Sequence, residues 1–218
     1  GINLVNYGAI GYDSLSAYSG NITLTTDSLY LGSNSRITSN GTLTIQPYAE
    51  GLTVGLGGES GQFSLPQSYF LANFSDGFSN IIIGQSDGTG LMQAGSLTVN
   101  DPLTLRNGTG GIRIVDTINM VSNQLILETS GLAAQRETGA IRVEKLAFAG
   151  SGNFVFDSAY NAIDTFAAGA PNAPVSSISL LNQDTLVVAS VNPSGIHATG
   201  TISIATLAGD LIIADSII

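Results

Sequence analysis

The sequence predicts an all-β fold, a right-handed parallel β-helix of about nine or ten coils, and three observations point there. A short unit of apolar, any, apolar residues, often with a small polar residue in the middle, recurs along the 218-residue chain. Nearly every such unit is bounded by Gly, Asn, Asp or Ser, the residues that turn a backbone. The sequence also resembles itself, since SGQFSLPQSYF (60–70) aligns with SGNFVFDSAYN (151–161) at an offset of 91 residues. Recurrence at a fixed spacing marks a stack in which each unit buries its apolar face against the next.

The units appear in order as ITL (22–24), LYL (29–31), LTI (43–45), LTV (52–54), FSL (63–65), III (81–83), LTV (97–99), LTL (103–105) and IRI (112–114). They continue as LIL (125–127), IRV (141–143), FVF (154–156), ISL (178–180), LVV (186–188), ISI (202–204) and LII (211–213). A period of two puts the outer pair of each unit on one face, as in a half-buried strand. SAYNAIDTFAAGA (158–170) offers the best helical pattern, one turn of helix or a strand with a loop, before Gly169 and Pro171 stop it. Coils of ~20–25 residues make the 91-residue offset about four coils and the whole chain a rod of ~45 Å. Ile, Leu, Val and Phe would form the inward ladder, and Thr, Ser, Asn and Arg the outward faces.

The alternative is an antiparallel β-sandwich or barrel, which also uses many short strands. Asn40-Gly41, Asp76-Gly77, Asp87-Gly88 and Asn107-Gly108 are the dipeptides of tight hairpins. The alternating runs, about three residues each, are shorter than the ~5–6 usual for sandwich strands, which favours coils.

Apolar residues make up 43% and charged residues only 10%, too much apolar material for a disordered chain and too little ionisable material for a typical enzyme. Without cysteine there is neither a disulfide framework nor a thiolate metal site. A formal charge of −10 would repel phosphate backbones, so no nucleic-acid partner is expected. Arg106, Arg113, Arg136, Arg142 and Lys145 share one 40-residue segment with Asp101, Asp116, Glu128, Glu137 and Glu144, the pattern of ion pairs across strands or coils. No run reaches the ~18 apolar residues of a membrane helix. GINLVNYGAIGYDS at the start carries no initiator Met, cationic region or cleavage site, and the chain reads as a piece of something longer.

Catalytic and ligand sites find little support in the pattern, and no catalytic, cofactor-binding or metal residue is assigned. His197, in SGIHATG, is the sole His; its nearest acids in sequence are Asp184 and Asp210, and it reads as an outward strand residue. Asp101 with Asp116, or Asp157 with Asp164, would be the carboxylate pairs of a polysaccharide hydrolase or lyase, while the seven tyrosines are mostly dispersed. GLGGESG (55–61) lacks the repeated Asp of a calcium β-roll, and neither Asp76 nor Asp87 begins an EF-hand loop. A phosphate-binding loop needs Gly-Lys, but the only lysine is Lys145, in VEKLAF. In DGFSNIIIGQSDGTG (76–90) the two Asp-Gly pairs read as turns, Asp capping its own backbone and Gly taking positive φ, around a strand at Ile81 to Ile83.

GTLTIQPYAEGLTVGLGG (41–58), DGFSNIIIGQSDGTG (76–90) and AGSLTVNDPLTLRNGTGGIRI (94–114) resemble the repeats of giant bacterial exoproteins related to filamentous haemagglutinin. SGNFVFDSAYNAIDTFAA, SISLLNQDTLVVASV and SGIHATGTISIATLAGDLIIADS are similar to the coils that follow in those proteins. The resemblance implies a β-helical shaft of an adhesin exported by two-partner secretion, hence a secreted or cell-surface structural protein, not an enzyme and with no cofactor. It implies as partners neighbouring repeats, end-to-end copies, or a host or neighbouring-cell surface or glycan. A carbohydrate-active β-helix is the alternative function.

Overall fold

The structure, a computed structural model, describes residues 1–218 apart from the side chain of Val121. Its first strands are β1 (Ile2–Ser16), β2 (Ile22–Thr38), β3 (Thr42–Gln46), β4 (Val54–Leu56) and β5 (Phe63–Leu65), followed by a π-helical turn at Tyr69–Asn73. Then come β6 (Asn80–Gly84), β7 (Met92–Ala94), β8 (Leu97–Thr98), β9 (Leu103–Asn107), β10 (Ile112–Ile114), β11 (Thr117–Thr129) and β12 (Leu132–Gln135). The last are β13 (Ala140–Ala149), β14 (Asn153–Phe156), β15 (Ala162–Ala168), β16 (Ser177–Asn182), β17 (Leu186–Val188), β18 (Ile202–Thr206) and β19 (Leu211–Ile213).

One sheet runs β1, β2, β3, β6, β9, β11, β13, β15, β17, β19, with β8 also on β11, and the other runs β18, β16, β14, β12, β10, β7, β4, β5. Every pairing between these strands is parallel. The chain is therefore a β-solenoid of ten rungs, and not the antiparallel sandwich. Antiparallel contacts are confined to isolated bridges, Ala170 to Ala173 and Ser190 to Ser194.

Alternation supplies the core. Ile2, Ile22, Leu43, Ile81, Leu103, Leu125, Leu146, Phe166, Val188 and Ile213 occupy one register column through the first sheet. From Ile22 to Val188 each is at most 2% exposed. A slip of one residue in any rung would turn its apolar set outward, so the pattern pins the register. In the second sheet Ile112, Ala133, Phe154, Ile178 and Ile202 form a column, giving coils of 21, 21, 24 and 24 residues. Between the two sheets Phe148 lies stacked on Phe154 at 4.4 Å and meets Phe156 and Phe166 at 5.0 Å each, filling the column with rings.

One excursion breaks the winding. Leu43 and Ile81 are adjacent in register although 38 residues apart, because the chain between β4 and β6 leaves the coil. β5 pairs with β4 on the side away from β7, so it lies against the stacking order, and it packs on β2. The π-helical turn follows it there. Tyr69 donates its hydroxyl to Leu29 O at 3.1 Å and accepts from Leu31 N at 3.0 Å, and the Asn73 amide donates to Gly32 O and Ser35 O at 2.8 Å each. The chain from β1 to β2 supplies no strand to the second sheet, and β5 with this segment, Phe70 and Phe74 buried, closes the core there. Of the two similar stretches, Phe63 and Phe154 both lie buried in the second sheet, but a π-helical turn follows the one and β15 the other.

One alternative is decided, in favour of a strand, and one expectation changes. Residues 162–168 of the best helical pattern form β15, which pairs with β13 from Arg142 against Ala162 to Phe148 against Ala168; ladder pairing overrides the helix preference of Ala. Asn and Thr do not all face outward. Asn107, Thr129, Asn161 and Asn182 are buried at the corners, where their side chains take up backbone groups that no strand can pair. Asn161 donates to Phe156 O and Leu181 O and accepts from Ile141 N, tying successive coils together.

Candidate functional site

The acidic residues singled out from sequence are distributed over different corners and each has a structural partner or faces solvent. Asp101 is buried and accepts from the backbone N–H groups of Gly77, at 2.9 Å, and Phe78, at 3.2 Å. Burial pushes its carboxyl above the usual range, the two amides pull it back, and the Asp76 charge raises it further. Asp116 accepts from the Ser96 hydroxyl and the Thr117 N–H, both at 2.7 Å, and these bonds hold it below the usual range. Asp157 accepts from Ser179 at 2.6 Å, and Asp164 is exposed on β15. Neither pair shares a hydrogen-bond partner. No three His, Asp or Glu residues gather as metal ligands among the described residues.

His197 is half-buried, and its backbone N–H donates to Ala168 O, which makes it part of a rung. The acid near it is neither Asp184 nor Asp210 but Asp215, one coil on, whose carboxyl is held below the usual range first by the Ser194 hydroxyl, then by Ser216, with His197 adding charge. Ser194 donates to Asp215 at 2.6 Å. A hydroxyl committed to the carboxylate is not activated by the imidazole, so these residues do not form the relay of a nucleophilic hydrolase.

The two Asp-Gly turns differ from each other. Gly77 takes φ of 116°, but the carboxylate that caps it belongs to Asp101 of the next coil, while Asp76 accepts from Asn100 at 3.2 Å. Gly88 has no positive φ; a Cβ there would collide with the Asn107 side chain beneath it, and close stacking of coils is what requires glycine. In GLGGESG, Gly57 and Gly58 have positive φ, and a Cβ on Gly55 would run into the backbone at Glu59, so the run is the tight return from β4 to β5. Of the basic cluster, Arg106 pairs across coils with Glu128 at 2.8 Å and Lys145 with its neighbour Glu144 at 3.0 Å.

One solenoid corner carries a recess absent from the sequence reading. Ser16, Tyr18, Ser19, Thr38, Ser39 and Asn40 line a shallow cavity of about 510 Å³, and Tyr18 stands 89% exposed with φ of 43°. Farther along the same corner, Thr98, Val99, Asn100, Asn119, Met120, Ser122 and Asn123 line another of about 200 Å³. Register and hydrogen bonds join them: Ser16 pairs with Thr38, Ser75 N–H donates to Ile37 O, Asn100 donates to Asp76, and the Asn123 amide donates to Asn100 O. Apart from Val99 and Met120, the lining side chains are neutral hydrogen-bonding groups, repeated at about one coil's spacing. Folding the sequence at the coil period would have aligned Asp76, Asn100 and Asn123, at steps of 24 and 23 residues.

Tyrosines also meet at a second corner, where the rings of Tyr7 and Tyr48 lie 4.2 Å apart. The Tyr48 hydroxyl is raised above its usual range first by its hydrogen bond to Tyr7, then by burial and by the charges of Tyr7 and Asp27. The tyrosines that sequence spacing left dispersed are thus partly brought together. Comparison with protein-family models, with curated proteins and with solved structures gives no match.

Proposed function

We propose that the chain is a structural segment of a secreted or cell-surface bacterial fibre, a shaft that joins further coils at its two ends. The observation that supports this is the state of the end rungs. Leu211 and Ile213 of β19 continue the inward columns of Leu186 and Val188, both fully buried, yet are 40% and 49% exposed. At the other end Ile2 and Leu4 continue the columns of Ile22 and Leu24 and are only half-buried. Apolar side chains in ladder register, beside strands with unpaired backbone groups, are suited to one more parallel rung on either side. The resemblance to exoproteins of the filamentous haemagglutinin kind supports an adhesive fibre as the parent, with further coils or end-to-end copies as its nearest partners.

Electron microscopy and light scattering over a range of concentrations test the joining of ends. Rods whose lengths are multiples of one column, lost in the Leu211→Lys, Ile213→Lys variant, are expected; particles of one column length at every concentration would count against it. Immunogold labelling of intact producing cells tests the location, with external label expected and purely internal label overturning it.

A further inference from the structure

We infer that the corner running from Tyr18 to Asn123 is a binding trench for a neutral, linear oligosaccharide. The two cavities lie on the first two and the last two of five successive coils, so at the spacing of hydrogen-bonded strands they span ~19 Å along the axis. Its walls offer Ser16, Ser19, Thr38, Asn40, Asn119 and Ser122, uncharged donors and acceptors of the kind that ring hydroxyls and acetamido groups match. Val99 and Met120, 3% and 2% exposed, give the lower part an apolar floor. At the upper end Tyr18 presents its ring to solvent, a flat amphipathic surface on which the C–H face of a pyranose can stack.

Tyr18 is held there at a backbone cost. A non-glycine residue at φ of 43° is in the left-handed region, and its carbonyl is fixed by the Asn40 N–H at 2.6 Å and the Ser39 hydroxyl at 2.9 Å. A glycine would meet the backbone requirement without the ring. The charges narrow the ligand class. Asp76, between the two cavities, and the buried Asp101 are acidic, and neither cavity is lined by Lys or Arg, so a polyanionic glycan is repelled. An extended peptide would need unpaired strand backbone, whereas at this corner each coil's backbone is already tied to the next by the Ser75 to Ile37 bond and by Asp101 on Gly77 and Phe78. The inference does not rest on the shaft reading, because the trench is complete within one chain.

The test is titration of the isotope-labelled chain with cellohexaose, chitohexaose and maltohexaose, following backbone and side-chain amides by NMR. At least one is expected to shift Asn40, Asn119 and Ser122 together. Tyr18→Asn, which tolerates the left-handed backbone, and Asn119→Ala should each weaken that ligand, Tyr18→Asn by about tenfold, the upper end of an aromatic contact. Tyr160→Ala, an exposed tyrosine two coils beyond Asn119, should leave binding unchanged. The absence of shifts with all three sugars would overturn the proposal, as would wild-type affinity in both trench variants, or tighter binding of a hexagalacturonate. Folding of each variant is checked by its amide spectrum, and Tyr18→Gly serves if the Asn variant is disturbed.

Discussion

Leu146 and Ile213 stand in the same register column, three rungs apart, and only the first is sealed from water. Both are aliphatic, both alternate with outward neighbours, and both face the axis. The difference is a coil on either side against a coil on one. In a one-dimensional stack, burial is a property of the neighbours as much as of the residue, so the interior coils carry most of the stability and the end rungs little of it.

The contrast between sealed and open rungs is largest at Phe148, which touches three other phenylalanine rings and is fully buried. Phe148→Ala should cost about 3–5 kcal/mol, read as a lower urea midpoint and faster hydrogen exchange in β11, β13 and β15. Next comes Asn161→Ala, which strands the Phe156 and Leu181 carbonyls and the Ile141 N–H in the interior. A loss of about 2–3 kcal/mol is expected, with exchange at Ile141 accelerated before that of the end rungs. Asp101→Ala uncovers the Gly77 and Phe78 amides and should cost about 1–3 kcal/mol, seen as lost protection at residues 77–81.

A pH effect sharpens the contrast near the first coil. The Tyr12 hydroxyl is buried without a partner, and burial pushes its pKa from 10.0 up to about 12. Below pH 10 folded and unfolded chains both hold the proton; between pH 10 and about 12 the unfolded chain gives it up first, so stability falls through that window and the loss levels off above it. Tyr12→Phe should flatten this slope in urea unfolding curves recorded from pH 9 to 12.5. The smallest effect is expected at the end, where Ile213→Ala should change stability by less than about 0.5 kcal/mol. A cost near that of Phe148→Ala would mean that the end rung is already covered by a partner in solution.

The sixteen apolar units quoted from the sequence fall in or overlap strands of the structure, because alternation, short length and flanking turn residues are local properties. β7 and β12 have no such unit, since MQA and LAAQ bury Met and Ala in place of branched residues. The place of β5 against the stacking order, and the π-helical turn after it, had no local signature. Their reason lies in the missing rungs of the second sheet, which only the assembled column reveals. The tyrosine and asparagine corner was hidden for a related cause: residues about one coil apart are strangers in sequence and neighbours in the stack.

By itself the sequence determined the parallel coiled architecture, the coil length and the identity of the inward apolar ladder, through a period of two interrupted by turn residues at near-regular intervals. Which polar residues turn inward as corner staples, which coil supplies the carboxylate that caps a given turn, and which uncharged side chains line one recess were decided by tertiary structure alone. Those outcomes depend on the register between coils, and register is fixed by the packing of whole rungs against one another.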